Sequence, residues 1–215
     1  MGKLSKMQIT LLHMFDAFHS LCEDNRLTYY ALGGTMLGAV RHGGFIPWDD
    51  DIDVGMPRDD YNKIRKLMGD STFEKVYVLE TPESGDSNYC FPYSKFYDTS
   101  TTLIENSRQQ LIRGVFIDVF PLEGTANTEA EAERRYKKIK NMTDLLTLRK
   151  LVVSSSRSSI KNSIIRMANI IPESILNTKR FSCDIDILCS KYPFNEYKLG
   201  GNLMGAWGIK EIMPR

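Results

Sequence analysis

Apolar residues at three- and four-residue steps open the chain. Leu4, Met7, Leu11, Phe15, Phe18 and Cys22 line one face of a helix predicted over residues 4–23. The period then shortens. Residues 28–32 form a β-prone run ending at Gly33-Gly34, and residues 35–40 suit a short helix opened by those glycines. Residues 52–54 lie in an acidic/apolar alternation, the pattern of a strand with one polar face. Pro57 suits the first turn of a helix running to residue 68. Residues 75–79, 90–97 and 115–120 read as further strands. After Pro121 the character changes. Thr128-x-x-Glu131 has the form of a capping box opening a long helix to residue 152. A serine-rich break over 154–159 precedes two more helical stretches, 160–171 and 172–191. The pattern predicts an α+β fold: a mixed sheet flanked by helices in residues 1–124, and a mainly helical part in 125–215 that packs on it.

Composition narrows the function classes. At 215 residues the chain suits one domain, or one domain with a helical appendage. A formal net charge of +1 announces no polyanion, so nucleic acid is not an expected partner. The charge is uneven, however. Residues 134–180 hold twelve Lys/Arg against Asp144 and Glu173, which leaves 16 Lys/Arg against 25 Asp/Glu elsewhere. That asymmetry reads either as an acidic metal-binding part beside a basic surface or as a solvated helical face. Ile160, Ile164, Ile165, Ala168 and Ile171 form an apolar stripe within it, suited to packing on the catalytic part or to lying on a membrane. Cys22, Cys90, Cys183 and Cys189 make no C-x-x-C pair, so no zinc or redox motif is expected. No secretion signal and no run approaching ~18 apolar residues is present. The expected location is therefore cytoplasmic, with peripheral contact at the inner membrane face compatible with the basic part.

The densest chemistry lies in residues 30–56, YALGGTMLGAVRHGGFIPWDDDIDVGM. On a strand, Asp49, Asp51 and Asp53 share one face, and Asp50 points to the other. Carboxylates packed together repel, and a divalent cation relieves the repulsion. Mg²⁺ (or Mn²⁺) suits carboxylate oxygens shared with substrate phosphates. An exposed acidic turn is the plain alternative. Against it stand Phe45, Ile46, Pro47 and Trp48 before the acids, and Ile52 and Val54 between and after them. Trp48 reads as a base-stacking or site-wall residue, with the core as its expected place. A calcium loop starting at Asp49 fails, because its sixth position is Val54 rather than glycine. Upstream, Gly33-Gly34-Thr35 at a helix start lets backbone amides approach a phosphate. Leu32-Gly33-Gly34 followed by Asp51-Ile52-Asp53-Val54 is the nucleotidyltransferase-superfamily pattern.

At GGTMLGAVRHGGFIPWDDDIDVGMPRDDY the chain resembles the LicD family of phosphorylcholine transferases, itself similar to the fukutin-type transferases. The resemblance is clear from residue 9 to 124 and looser to 213. It implies a nucleotidyltransferase-like fold. It also implies transfer of a phosphorylated alcohol, such as phosphocholine or ribitol phosphate, from a CDP-linked donor (CDP-choline foremost) to a sugar hydroxyl. The implied acceptor is a glycan or lipid-linked glycan: teichoic acid, lipopolysaccharide or capsule precursor. Asp51 and Asp53 match the family's metal-binding pair, and Asp118 in GVFIDVFPLE matches its third acid. Arg41 and His42, after the short helix, and Lys95 in PYSKFYDTSTT are expected to meet donor phosphates. Gly33, Gly34 and Thr35 complete the expected substrate-binding set. Family sequences continue past a WGIKE-like segment, residues 207–211 here, into an aromatic-rich ending; this chain stops at Arg215, so fewer matching residues support acceptor binding. Two other readings stay open: adenylylation of a different small molecule, and a catalytically inactive nucleotide- or glycan-binding module.

Overall fold

A computed structural model describes residues 4–69, 72–74, 76–85, 89–105, 111–205, 210 and 212–214. The predicted strand start at Lys75, and all of the WGIKE segment except Lys210, lie outside the described residues. The helices are α1 (Lys6–Asp24), α2 (Gly33–His42), α3 (Arg58–Met68), α4 (Glu129–Lys150), α5 (Ser159–Ile170) and α6 (Thr178–Cys189). The strands are β1 (Tyr30–Ala31), β2 (Asp53–Pro57), β3 (Tyr77–Glu80), β4 (Ser94–Glu105), β5 (Leu111–Ala126), β6 (Leu199–Gly201) and β7 (Ile212–Pro214). The α+β class and the mixed sheet follow the sequence expectation.

The spine of the sheet is β5. Strand order is β1-β2-β5-β4-β3, with β2 parallel to β5 and the other pairs antiparallel. Past Leu122, β5 leaves β2 and pairs with β6, which pairs with β7. Pleating sends alternate side chains to opposite faces. Val54 and Met56 of β2, Phe96 of β4 and Ile117 and Val119 of β5 share one face and are fully buried. Leu11, Met14 and Phe18 of α1 cover them, with Tyr61 and Ile64 of α3. Each such large apolar side chain contributes about 1.5–3 kcal/mol on burial. Asp53, Lys95 and Asp118 lie on the other face. There α4 and α6 build a second core around Tyr89, Tyr136, Ile139, Leu146 and Ile185.

The loop between α2 and β2 explains much of the glycine spacing. Gly43 ends α2 at φ 63°, the left-handed conformation that glycine adopts without strain. The chain then doubles back over Gly38, where a Cβ would lie 2.5 Å from the Gly44 carbonyl oxygen. A bare Gly38 therefore lets residues 44–49 return toward the start of α2. Two features were not predicted. The strands β4 and β5 are far longer than their apolar runs, and β6 and β7 add a sheet edge to the helical part. With three residues each and glycine or proline among them, β6 and β7 show no alternation to read.

Candidate active site

The register builds the site from two strands. Asp53 begins β2 and sits directly across from Asp118 on parallel β5. Asp118 donates its amide to the Ile52 carbonyl at 3.0 Å, which locks that register. Ile52 is buried in the core just before β2, and Asp51 precedes it, near enough to Asp53 and Asp118 for their charges to interact. Burial and the neighbouring carboxylates Asp118 and Asp51 push Asp53 up to about 7, with Lys95 opposing. Asp51 is pushed up to about 6, first by burial and then by Asp49, with which it shares a hydrogen bond. Asp53 and Asp118 thus lie side by side across two strands, and Asp51 interacts with both electrostatically.

Could this set hold a divalent cation? The donors are carboxylate oxygens, the chemistry that Mg²⁺ prefers, and the crowding that pushes Asp51 and Asp53 up is a repulsion that a cation would relieve. Among the described residues, however, no three His, Cys, Asp or Glu side chains stand together at metal-ligating spacing. Part of the neutralisation comes from within. Lys95 on β4 pairs in register with Asp118 and donates Nζ to its Oδ1 at 2.5 Å. That ammonium is only 1% exposed and sits over the Phe116 ring at 3.3 Å and the Phe91 ring at 4.2 Å. Lys95, expected at a donor phosphate or on the surface, is buried, and its Nζ meets Asp118.

The glycine end of α2 closes the site. Thr35 accepts the Asp53 amide through Oγ1 at 2.9 Å, and the Leu32 amide bonds to the Asp53 carbonyl at 3.0 Å. Both ends of the Asp53 peptide are therefore tied to the start of α2. Asp49 packs against Gly34 so closely that a Cβ there would lie 2.6 Å from its Oδ2. Gly33 and Asp53 line a cavity of about 250 Å³, with Tyr93 and Phe120 as an aromatic wall and Thr147 and Lys150 from α4 opposite. A wider, apolar groove of about 820 Å³ opens on the other side of Leu32 and Gly33, between α2 and β6–β7.

Arg41, His42 and Trp48 do not line the cavity beside Asp53. Arg41 and His42 are exposed in the last turn of α2, at the end opposite Gly33; ten helical residues put them about 13 Å away. Trp48 is 83% exposed rather than core. The Asp49 amide bonds to the Ile46 carbonyl at 2.9 Å, closing a tight turn with Pro47 and Trp48 at its corner, and the indole points outward.

Two contributors escaped the sequence reading. Lys150 ends a helix expected to pack on the catalytic part, and its own place beside the cavity was not foreseen. Gln8 looked like an ordinary polar position on α1. Its Oε1 caps Ser5, and its buried Nε2 donates to the Asp49 carbonyl at 2.9 Å, 41 residues away. The Ser5-x-x-Gln8 capping box was readable; the bond to the acidic loop left no local trace. Removing that amide in Gln8→Ala should speed hydrogen exchange at the Asp49 amide about tenfold while global stability falls by about 1 kcal/mol. An unchanged Asp49 exchange rate would show that Gln8 does not hold the loop.

The chain shares this region with known proteins. A family model described as the LicD/FKTN/FKRP nucleotidyltransferase domain matches residues 26–149. The lipopolysaccharide cholinephosphotransferase LicD of Haemophilus influenzae is 38% identical over 124 residues, covering 58% of this chain and 46% of that protein. The ribitol 5-phosphate transferase FKRP of Homo sapiens is 39% identical over 62 residues, covering 27% of this chain and 12% of that protein. Mannosyltransferase regulator 4 of Saccharomyces cerevisiae is 29% identical over 128 residues, covering 57% of this chain and 10% of that protein. The matched part is thus less than half the length of each relative. A family match across residues 26–149 of 215, with all three aspartates inside it, makes this chain a member of the LicD family.

Proposed function

We propose that the chain transfers a phospho-alcohol group from a CDP-linked donor to a sugar hydroxyl of a glycan precursor, at the face shared by Asp51, Asp53 and Asp118. The register of Asp53 against Asp118 carries this reading, because it brings two sequence-distant carboxylates together beside the glycine end of α2. Asp51, Asp53 and Asp118 would hold the divalent cation, Mg²⁺ or Mn²⁺. Such an ion supplies charge neutralisation and phosphoryl polarisation when bound. The backbone amides at Gly33 and Gly34 are suited to a phosphate oxygen. Thr35, through its bond to the Asp53 amide, keeps that carboxylate aimed at the same point. Lys95 fixes the Asp118 carboxylate beside Asp53 and sets a positive charge against the cluster. The cavity walled by Tyr93, Phe120 and Lys150 suits the nucleoside half of the donor. The apolar groove meets that cavity at Leu32 and Gly33, an arrangement suited to donor and acceptor approaching from two sides. The acceptor hydroxyl oxygen would then attack the phosphorus bearing the transferred group, its proton passing to a nearby carboxylate, and CMP would leave with the electron pair of the broken P–O bond. Positioning and charge stabilisation would supply most of the acceleration.

The relatives support this chemistry by name, as a cholinephosphotransferase and a ribitol 5-phosphate transferase. The test is a donor panel of CDP-choline, CDP-ribitol, CDP-glycerol and the four NTPs, each with a lipopolysaccharide or teichoic-acid precursor and Mg²⁺. The expected result is acceptor-dependent CMP release from one CDP-alcohol, abolished by EDTA. Pyrophosphate release from an NTP, with every CDP-alcohol inert, would replace this reading with adenylylation or its equivalent. Donor binding without turnover of any compound would make the chain a binding module.

A further inference from the structure

Helix α5 has two apolar faces, and packing uses one of them. Ile165 and Ala168 turn inward and are buried beside α4. Arg149 of α4 clamps the end of α5, donating Nη1 to the Ala168 carbonyl at 2.9 Å and to the Ile171 carbonyl at 2.5 Å. The outward face is a different matter. Ile160, Ile164, Met167 and Ile170 are 73%, 46%, 70% and 77% exposed, and Ile175 in the following turn is 76% exposed. Val152 and Val153, just before the helix, are exposed as well. Single exposed apolar residues are ordinary; a contiguous set on one helix and its flanks marks an interaction surface. The sequence stripe of Ile160, Ile164, Ile165, Ala168 and Ile171 is therefore split, with part packed and part presented.

Charge identifies the occupant. Lys161 and Arg166 lie on α5 itself and Arg157 just before it, and the one acid in residues 151–180 is Glu173. That carboxylate already pairs with Arg149 at 2.6 Å. An apolar stripe flanked by cations matches an anionic lipid surface, where acyl chains take the stripe and headgroups take the ammonium and guanidinium groups. No helix among the described residues is long and apolar enough to cross a membrane, so the contact would be peripheral. We propose that the outward face of α5 lies in the interface of an anionic bilayer. Arg149, which holds α5, is next in sequence to Lys150 at the cavity. The end of α4 that holds α5 thus also borders the cavity beside Asp53.

The test is flotation of the full chain with vesicles of phosphatidylcholine alone, or of phosphatidylcholine and phosphatidylglycerol in equal parts. The wild type should float with the mixed vesicles and bind the neutral ones about tenfold more weakly. Ile164→Glu/Met167→Glu should weaken binding to mixed vesicles at least about tenfold, with circular dichroism and Tm unchanged because both side chains are exposed. Equal binding by the double variant, or no flotation with either vesicle, would overturn the proposal. A wild-type dimer that the same double variant dissociates, without vesicle binding, would assign the face to a second copy of the chain instead.

Discussion

Asp53→Asn is expected to cut turnover at least about a thousandfold and, at neutral pH, to leave a fold more stable than the wild type. The two effects share one cause. Asp53 is largely buried beside Asp118 and Asp51, and its carboxyl is pushed up to about 7. In the unfolded chain it titrates near 4. Between those values the native state keeps a proton that the unfolded state has lost, so stability falls as pH rises from about 4 to about 7 and stays low above. Asparagine keeps the shape and removes the charge. Each pKa unit corresponds to about 1.4 kcal/mol, and sharing among coupled carboxylates reduces the sum to about 1–2 kcal/mol gained at pH 8. Urea denaturation at pH 5 and pH 8 checks this. The gain in Asp53→Asn should be present at pH 8 and shrink at pH 5. Mn²⁺ should raise the wild-type Tm more at pH 8 than at pH 5, because protons compete for the same oxygens. A variant that is less stable than wild type at both pH values would mean that Asp53 is a structural acid.

The second large effect lies away from the chemistry. Arg58→Met is expected to cost about 3–5 kcal/mol, enough to unfold a marginal domain. Arg58 begins α3, is 4% exposed and donates Nε to Glu123 Oε1 at 2.8 Å. Its Nη1 lies 2.8 Å from Asp186 Oδ1 on α6, and Arg65 reaches the other oxygen of Asp186 at 2.9 Å. Tyr61 supports both guanidinium groups with its ring, 5.0 and 5.2 Å from their carbon atoms. Burial pushes Glu123 up even with Arg58 beside it, so the carboxylate depends on that partner. Removing Arg58 alone strands buried Glu123 and leaves Asp186 with Arg65 as its remaining cation. Removing Glu123 and Asp186 as well, by Glu123→Leu and Asp186→Leu, should recover much of the loss, because no buried charge is left unpaired. Arg58→Lys should not, since one ammonium cannot span both carboxylates. Thermal denaturation of the four proteins checks the order. Equal stability of Arg58→Met and wild type would show that this network does not hold α6 to the sheet.

These two cases mark where sequence stopped informing structure. Asp51-Ile52-Asp53-Val54 announced its own geometry, because a two-residue period assigns faces without a partner strand. Asp118 between Ile117 and Val119 did the same. That Asp53 and Asp118 lie side by side came from family resemblance, since strand pairing over such a separation has no local signal. Helices with caps were read well: Thr128 accepts the Glu131 amide as its position suggested, and α4 ends two residues before the expected 152. Buried polar residues were not. Gln8, Lys95 and Arg58 sit where exposed side chains are the norm, and only their distant partners make them tolerable. Trp48 failed in the opposite sense, because a tight turn overrode the preference of an indole for the interior.

We propose that Asp51, Asp53 and Asp118 share a divalent ion, and crystals grown with Mn²⁺ and measured at the manganese absorption edge would reveal it. The prediction is an anomalous peak about 2.1 Å from oxygens of Asp51, Asp53 and Asp118, absent from Asp53→Asn crystals grown alike. A protein active in transfer whose crystals place manganese elsewhere, or nowhere, would contradict the account.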